Sequence, residues 1–106
     1  MIVTTTENVA GYRAVEGFGQ CVGVVVRSRG IGGNIIAQLR TIVGGEIKEY
    51  SALVEETRRH ALDRLVRNAS AMGANAVVMM RFDSGSIGQT MNEVVAYGTA
   101  LRVEPV

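Results

Sequence analysis

Residues 51–82 read SALVEETRRHALDRLVRNASAMGANAVVMMRF: one long amphipathic helix, a glycine stop and an apolar strand. Leu53, Thr57, Ala61, Leu65, Ala69 and Met72 recur at spacings of three and four, and Leu62 and Val66 widen the stripe. The opposite side holds Glu55, Glu56, Arg59, Asp63 and Arg67. Glu55–Arg59 and Asp63–Arg67 are acid-before-base pairs four apart, each expected to add about 0.3 kcal/mol. Gly44 and Gly45 break any earlier helix, so this one starts between Glu46 and Leu53. Gly73 stands where a left-handed residue closes a helix. A helix with one wide apolar stripe needs a sheet or another helix to cover it.

The strands supply the sheet. Met1–Thr6 is β-branched and adds a short strand, and Tyr12–Arg27 is the first long one. Gly17 and Gly19 predict a bulge or bend inside it. Residues 28–34, SRGIGGN, form a turn-rich loop. A short helix follows over Asn34–Val43, with Ile35, Ile36, Leu39, Ile42 and Val43 on one face. Ala76–Phe82 and Thr90–Val103 are the last strands, joined through Asp83–Gln89. The expected fold is α+β over one domain, residues 1–106. It is a β-α-β-β chain with an antiparallel sheet in the order 1-3-2, and the long and short helices pack on one face. Centring the hairpin on its loop sets Arg81 opposite Glu93, Met79 opposite Val95 and Val77 opposite Tyr97, with Arg81 and Glu93 as a structural charge pair.

These strands are too apolar for that fold. A sheet with one wet face alternates apolar and polar residues. Here Cys21–Val26, Ala76–Met80 and Val94–Tyr97 are apolar on both faces, and the helices can cover only one. Each exposed Val or Met forgoes about 1.5–3 kcal/mol of burial. The second face therefore predicts a homo-oligomer.

Composition excludes several classes. The net charge of +1 argues against a dedicated nucleic-acid partner or an anionic membrane surface. One cysteine, Cys21, rules out an internal disulfide framework. The start MIVTTTENVAG lacks a basic-then-apolar signal pattern, and no apolar run approaches the roughly 18 residues that span a bilayer. A cytoplasmic location is expected.

Several segments together resemble the YbjQ-like family, whose members are labelled "putative heavy-metal-binding". They are Gly44-Gly45-Glu46-Ile47 with Tyr50, the helix carrying Arg58 and Ala61, Met72-Gly73-Ala74-Asn75-Ala76, and Tyr97-Gly98-Thr99-Ala100. The resemblance spans nearly the whole chain. It implies a subunit fold like that of dodecin and a ring-shaped homopentamer. It carries over no catalytic residues.

Two sets of residues are candidate sites. Zinc sites gather about four Cys, His or acidic ligands, two of them close in sequence. This chain offers only Cys21 and His60, so a metal site needs one ligand per subunit repeated around a ring axis. Cys21 sits in an apolar strand, where a small buried hydrophobe is the alternative role. His60 follows Arg58 and Arg59, where a surface histidine is the alternative. The second set is Arg27, Arg29, Gly32 and Gly33. A strand, a glycine-rich loop and a helix start make an anion cradle or an ordinary turn. No nucleotide motif and no nucleophile–base pair is present, and the sequence indicates no cofactor. The expected function is a non-enzymatic oligomeric binding or structural protein, with small molecules or anions at subunit interfaces. A heavy-metal-binding ring and an enzyme of unrecognised type are the alternatives.

Overall fold

A computed structural model describes residues 1–28 and 48–106 of the chain. The expected short helix over Asn34–Val43 lies outside the described residues, as do Gly44 and Gly45. The elements are β1 (Ile2–Val3), β2 (Tyr12–Ser28), α1 (Lys48–Ala71), β3 (Ala76–Ile87) and β4 (Met91–Pro105). They form a four-stranded sheet in the order β1-β3-β4-β2, with α1 on one face.

The sheet is mixed, and this corrects the wholly antiparallel three-stranded 1-3-2 sheet. The added strand is β1, which runs parallel to β3, with Ile2 beside Ala76 and Val3 beside Val77. Two residues suffice because the pairing continues past them. The Thr4 amide donates to the Val77 carbonyl at 2.9 Å, and the Met80 and Met79 amides donate to the Thr4 and Thr6 carbonyls, each at 3.0 Å.

Helix α1 begins inside the expected window and buries Thr57, Ala61, Leu65 and Ala69. Thr57 is a buried hydroxyl, and it donates to the Leu53 carbonyl one turn back at 2.8 Å. Met72, expected on the buried stripe, is exposed because the helix has already ended. Gly73 has φ 95°, the Ala74 amide donates to the Ala69 carbonyl at 3.1 Å, and the Gly73 amide donates to the Ser70 carbonyl at 3.0 Å. Those two bonds are a Schellman closure, and the left-handed residue it requires is the glycine. Among the described residues, the close acid–base contact along α1 is Glu56 Oε1 with His60 Nε2 at 3.8 Å, in place of Glu55–Arg59 and Asp63–Arg67.

The face beneath α1 is built from small residues. Cys21, Gly23 and Val25 of β2 point toward the helix, beside Gly98, Ala96 and Val94 of β4. At Gly23 the helix backbone comes closest: a Cβ there would overlap the Ala61 carbonyl oxygen and the Leu65 amide nitrogen. Ala61, Ala69, Ala74, Ala96 and Ala100 keep the rest of the contact equally shallow. The core is thin, and Leu65 and Val77 are its largest fully enclosed side chains.

Bulges set the faces of β2 and β3. In β2 the register slips between Ala14 and Glu16 and again between Gly17 and Gly19, and Gly19 has φ 89°. This is the irregularity the two glycines predict. In β3 it slips between Val78 and Arg81, around Met79 with φ 55°. Gly98 makes room across from this bulge, since a Cβ there would lie 2.7 Å from Val77 Cγ1 and 2.9 Å from the Val78 carbonyl oxygen. Adjacent Met79 and Met80 separate as a result. Met79 is exposed, and Met80 packs against the core.

The Arg81–Glu93 pair is not formed, which corrects the expected hairpin register. Arg81 lies opposite Tyr97, and Glu93 lies opposite Gly85. Asp83–Ile87, read as loop, pairs with Met91–Val95, and the turn is the short stretch Gly88–Thr90, with φ 60° at Gly88. The polar residues of that stretch do not break the strand, because the ladder uses backbone groups that every residue but proline supplies.

The Gly23 contact yields a direct test. Gly23→Ala is expected to cost about 3 kcal/mol, the upper part of the overpacking range. Gly85→Ala, whose Cβ would sit 3.9 Å from Glu93 Oε1 in ordinary contact, is expected to change stability by less than about 0.5 kcal/mol. Urea unfolding of both variants, compared at equal m, checks the contrast.

Candidate functional site

Chemistry-bearing side chains gather where α1 crosses β2. Residues 60, 64 and 68 are one turn apart and line the flank of the helix facing that strand. Arg27 Nη2 donates to His60 Nδ1 at 3.0 Å, Arg64 Nη1 to the Val24 carbonyl at 2.5 Å, and Asn68 Nδ2 to the Val22 carbonyl at 2.7 Å. His60 Nε2 faces Glu56 Oε1 at 3.8 Å. Two separate sequence candidates, Arg27 and His60, therefore meet. Arg29, Gly32 and Gly33 lie outside the described residues.

The hydrogen bond fixes the histidine's tautomer. A guanidinium can only donate, so Nδ1 must accept and the ring proton sits on Nε2, on the Glu56 side. This arrangement opposes metal ligation at His60. Binding a cation through Nε2 would move the proton to Nδ1, against the Arg27 donor, with a guanidinium charge beside the metal. Arg27 Nε is enclosed without a hydrogen-bond partner, so the side chain is held by its far end.

Cys21 is the other metal candidate, and the fold encloses it. It is 3 % exposed beneath α1, and its Sγ–H donates to the Gly98 carbonyl at 3.7 Å. Burial raises the thiol above its ordinary value of 9.0, which favours the protonated form over the thiolate that metals bind. Cys21 lies within the core and His60 on an exposed flank. Among the described residues, no three His, Cys, Asp or Glu side chains are grouped to hold a metal ion.

Three further features stand out, and the first two were not assigned a role in the sequence. Asn75 clamps β4: its amide group donates to the Val103 carbonyl at 2.9 Å, and its side-chain oxygen accepts from the Val103 amide at 2.8 Å. An Asn two residues after a helix-closing glycine was the available signal. Glu55, Arg58, Arg59, Leu62 and Phe82 line an open depression of about 280 Å³, and the Arg58 guanidinium lies 5.3 Å from the Phe82 ring centre. The third is the face of the sheet away from α1. There Val22 lies opposite Tyr97 and Val24 opposite Val95, with Val26 beyond them. Val24 is 38 % exposed, Val26 49 % and Tyr97 38 %. The double apolarity of these strands is therefore real, and among the described residues no element covers the second face.

The burial of Cys21 makes a prediction. Its raised pKa means that folding disfavours the thiolate, so the cysteine adds no instability below pH 9 and costs stability as pH rises above it. A thiol-alkylating reagent at pH 8 is expected to leave the folded protein unmodified and to label it fully in denaturant.

Comparison with known proteins places the chain among related sequences. A family model described as "YbjQ_1: Putative heavy-metal-binding" matches residues 1–104. A UPF0145 protein of Bradyrhizobium sp. ORS 278 is 74% identical over 105 residues, covering 99% of this chain and 95% of the relative. A UPF0145 protein of the archaeon Methanocella arvoryzae is 56% identical, covering 99% and 88%. In structure, the chain is similar to a protein of unknown function from Pediococcus pentosaceus, assigned to the DUF74 family. The TM-score is 0.63 at 15% identity over 98% of both chains, a likeness of fold.

Proposed function

The chain belongs to the YbjQ family described as "Putative heavy-metal-binding", and on that footing we propose that it is the subunit of a ring-shaped homo-oligomer. It acts as a non-enzymatic binding or structural protein in the cytoplasm and holds small molecules or anions where subunits meet. The observation that carries this reading is the bare apolar face of Val22, Val24, Val26, Val95 and Tyr97. A patch of this kind on a soluble chain marks an interface. Shape supports it. The radius of gyration is 17.0 Å, against about 13 Å for a compact chain of this length. A thin core in an elongated subunit gains most from neighbours. The number five and the ring form rest on the resemblance to the dodecin-like fold.

For an anion, Arg27 near the end of β2 is the candidate donor among the described residues; its guanidinium lies on the helix side of the strand, beside His60. Among the described residues, no helix is long and apolar enough to cross a membrane.

The family's description favours heavy-metal binding as a second reading. On this chain it requires one ligand per subunit to be repeated around an axis, and it requires Arg27 to leave His60.

Native mass spectrometry of the untagged protein separates these readings. A five-subunit mass without metal is expected, and Val24→Asp with Val26→Asp is expected to reduce it to the monomer. A parent that stays monomeric at micromolar concentration would overturn the assembly. Metal retained in proportion to subunits, and lost in His60→Ala, would move the assignment to the second reading.

A further inference from the structure

Strand β2 is the outer strand of the sheet, and among the described residues it pairs only with β4. Such an edge presents free backbone groups to any strand that approaches. The stretch behind this edge is Cys21-Val22-Gly23-Val24-Val25-Val26, which is apolar, mostly β-branched, uncharged and free of proline. Those properties favour pairing with a like strand. Yet the two carbonyls in its middle, Val22 and Val24, are already taken. They are two residues apart, so they point out of the same side of the strand. Asn68 Nδ2 and Arg64 Nη1 reach over from α1 to occupy them, at 2.7 and 2.5 Å. Arg27 Nη2 ties the end of the strand to the same flank by donating to His60 Nδ1, without occupying a backbone group.

We infer that this flank of α1 is a guard over a latent interaction surface, and that the partner it excludes is the β2 edge of a second copy of the chain. Two copies of this edge are self-complementary when antiparallel. Each strand's carbonyls would accept amides of the other, and the valine run would meet itself. The guard works by competition, since the helix donors fill acceptors that a partner strand would need. It follows that a large assembly and an open edge are incompatible. If several subunits of one particle carried open edges, particles would join to one another without limit. Contact through the bare face ends when that face is covered; contact through the β2 edge does not end in that way.

The test removes the donors and leaves the strand untouched. Arg64→Ala with Asn68→Ala substitutes two exposed helix positions by the best helix former. Arg59→Ala with Arg67→Ala is the control for lost positive charge on the same helix. Arg64→Lys with Asn68→Gln keeps N–H donors in place. Sedimentation velocity over a concentration series reads the outcome against the parent's own size, so it does not depend on how many subunits the parent holds. The alanine pair is expected to shift to larger species that grow with concentration and bind thioflavin T. The control pair and the donor-keeping pair are expected to match the parent. An alanine pair with native circular dichroism and the parent's size distribution overturns the inference, as does equal growth in the control. Should the alanine pair lose its helix, Asn68→Ala alone is read in the same way, and an unchanged size then overturns the inference as well.

Discussion

The contact between the α1 backbone and Gly23 sets the spacing of the whole domain. No side chain fits between them, so helix and sheet lie as close as backbones allow. Everything around the contact is scaled to it. The positions flanking it on the helix are Ala61, Leu65 and Ala69, and those on β4 are Ala96 and Ala100. The same closeness lets short Asn68 reach the Val22 carbonyl, and it lets Arg64 reach Val24 without leaving the helix surface. It also limits what the core can contribute. Small residues bury little apolar area, so a helix pressed this close to its sheet gains little hydrophobic stabilisation from the contact.

The sequence made some of this architecture plain and hid the rest for definite reasons. The helix stripe from Thr57 to Ala69 was readable because its period of 3.6 differs sharply from that of a strand. Gly73 was readable because few residues tolerate its conformation. The bulge near Gly19 followed from the same logic. The hairpin register was not readable. Asp83, Ser84, Gly85 and Ser86 have turn composition, yet they sit in a ladder whose bonds ignore side-chain type. The bulge at Met79 carries no glycine of its own. Its signal is Gly98, on the opposite strand, and only pairing reveals the connection. The short first strand was readable within Met1–Thr6 from its β-branched residues, but its parallel pairing with β3 was not, since two residues are too few for a pattern to repeat.

The site shows the same division. Arg27 and His60 are 33 positions apart, so their meeting depends on how α1 lies across β2. Once they meet, the roles suggested for each alone change. A histidine that accepts from a guanidinium is poorly placed to hold a cation, and a cysteine under a helix is poorly placed to become a thiolate. The bare face was legible because it needed only residue types and the period of two. No three-dimensional detail can hide a surfeit of valine.

The extra residue at Met79–Met80 has a further consequence. Beyond it, Phe82 and Ser84 fall on the helix side, while Arg81 and Asp83 fall on the other. Val78 pairs with Thr99 and Arg81 with Tyr97, so two β3 residues stand against Gly98 alone. Removing either methionine would leave one residue opposite Gly98 and heal the ladder, with Arg81, Phe82 and Asp83 kept on their present sides. Holding both methionines in an unbroken ladder would instead turn the rest of the strand over and drive Arg81 and Asp83 under the helix. The bulge is a slack loop of one residue, which lets β3 be longer than its partner without changing which side chains meet α1.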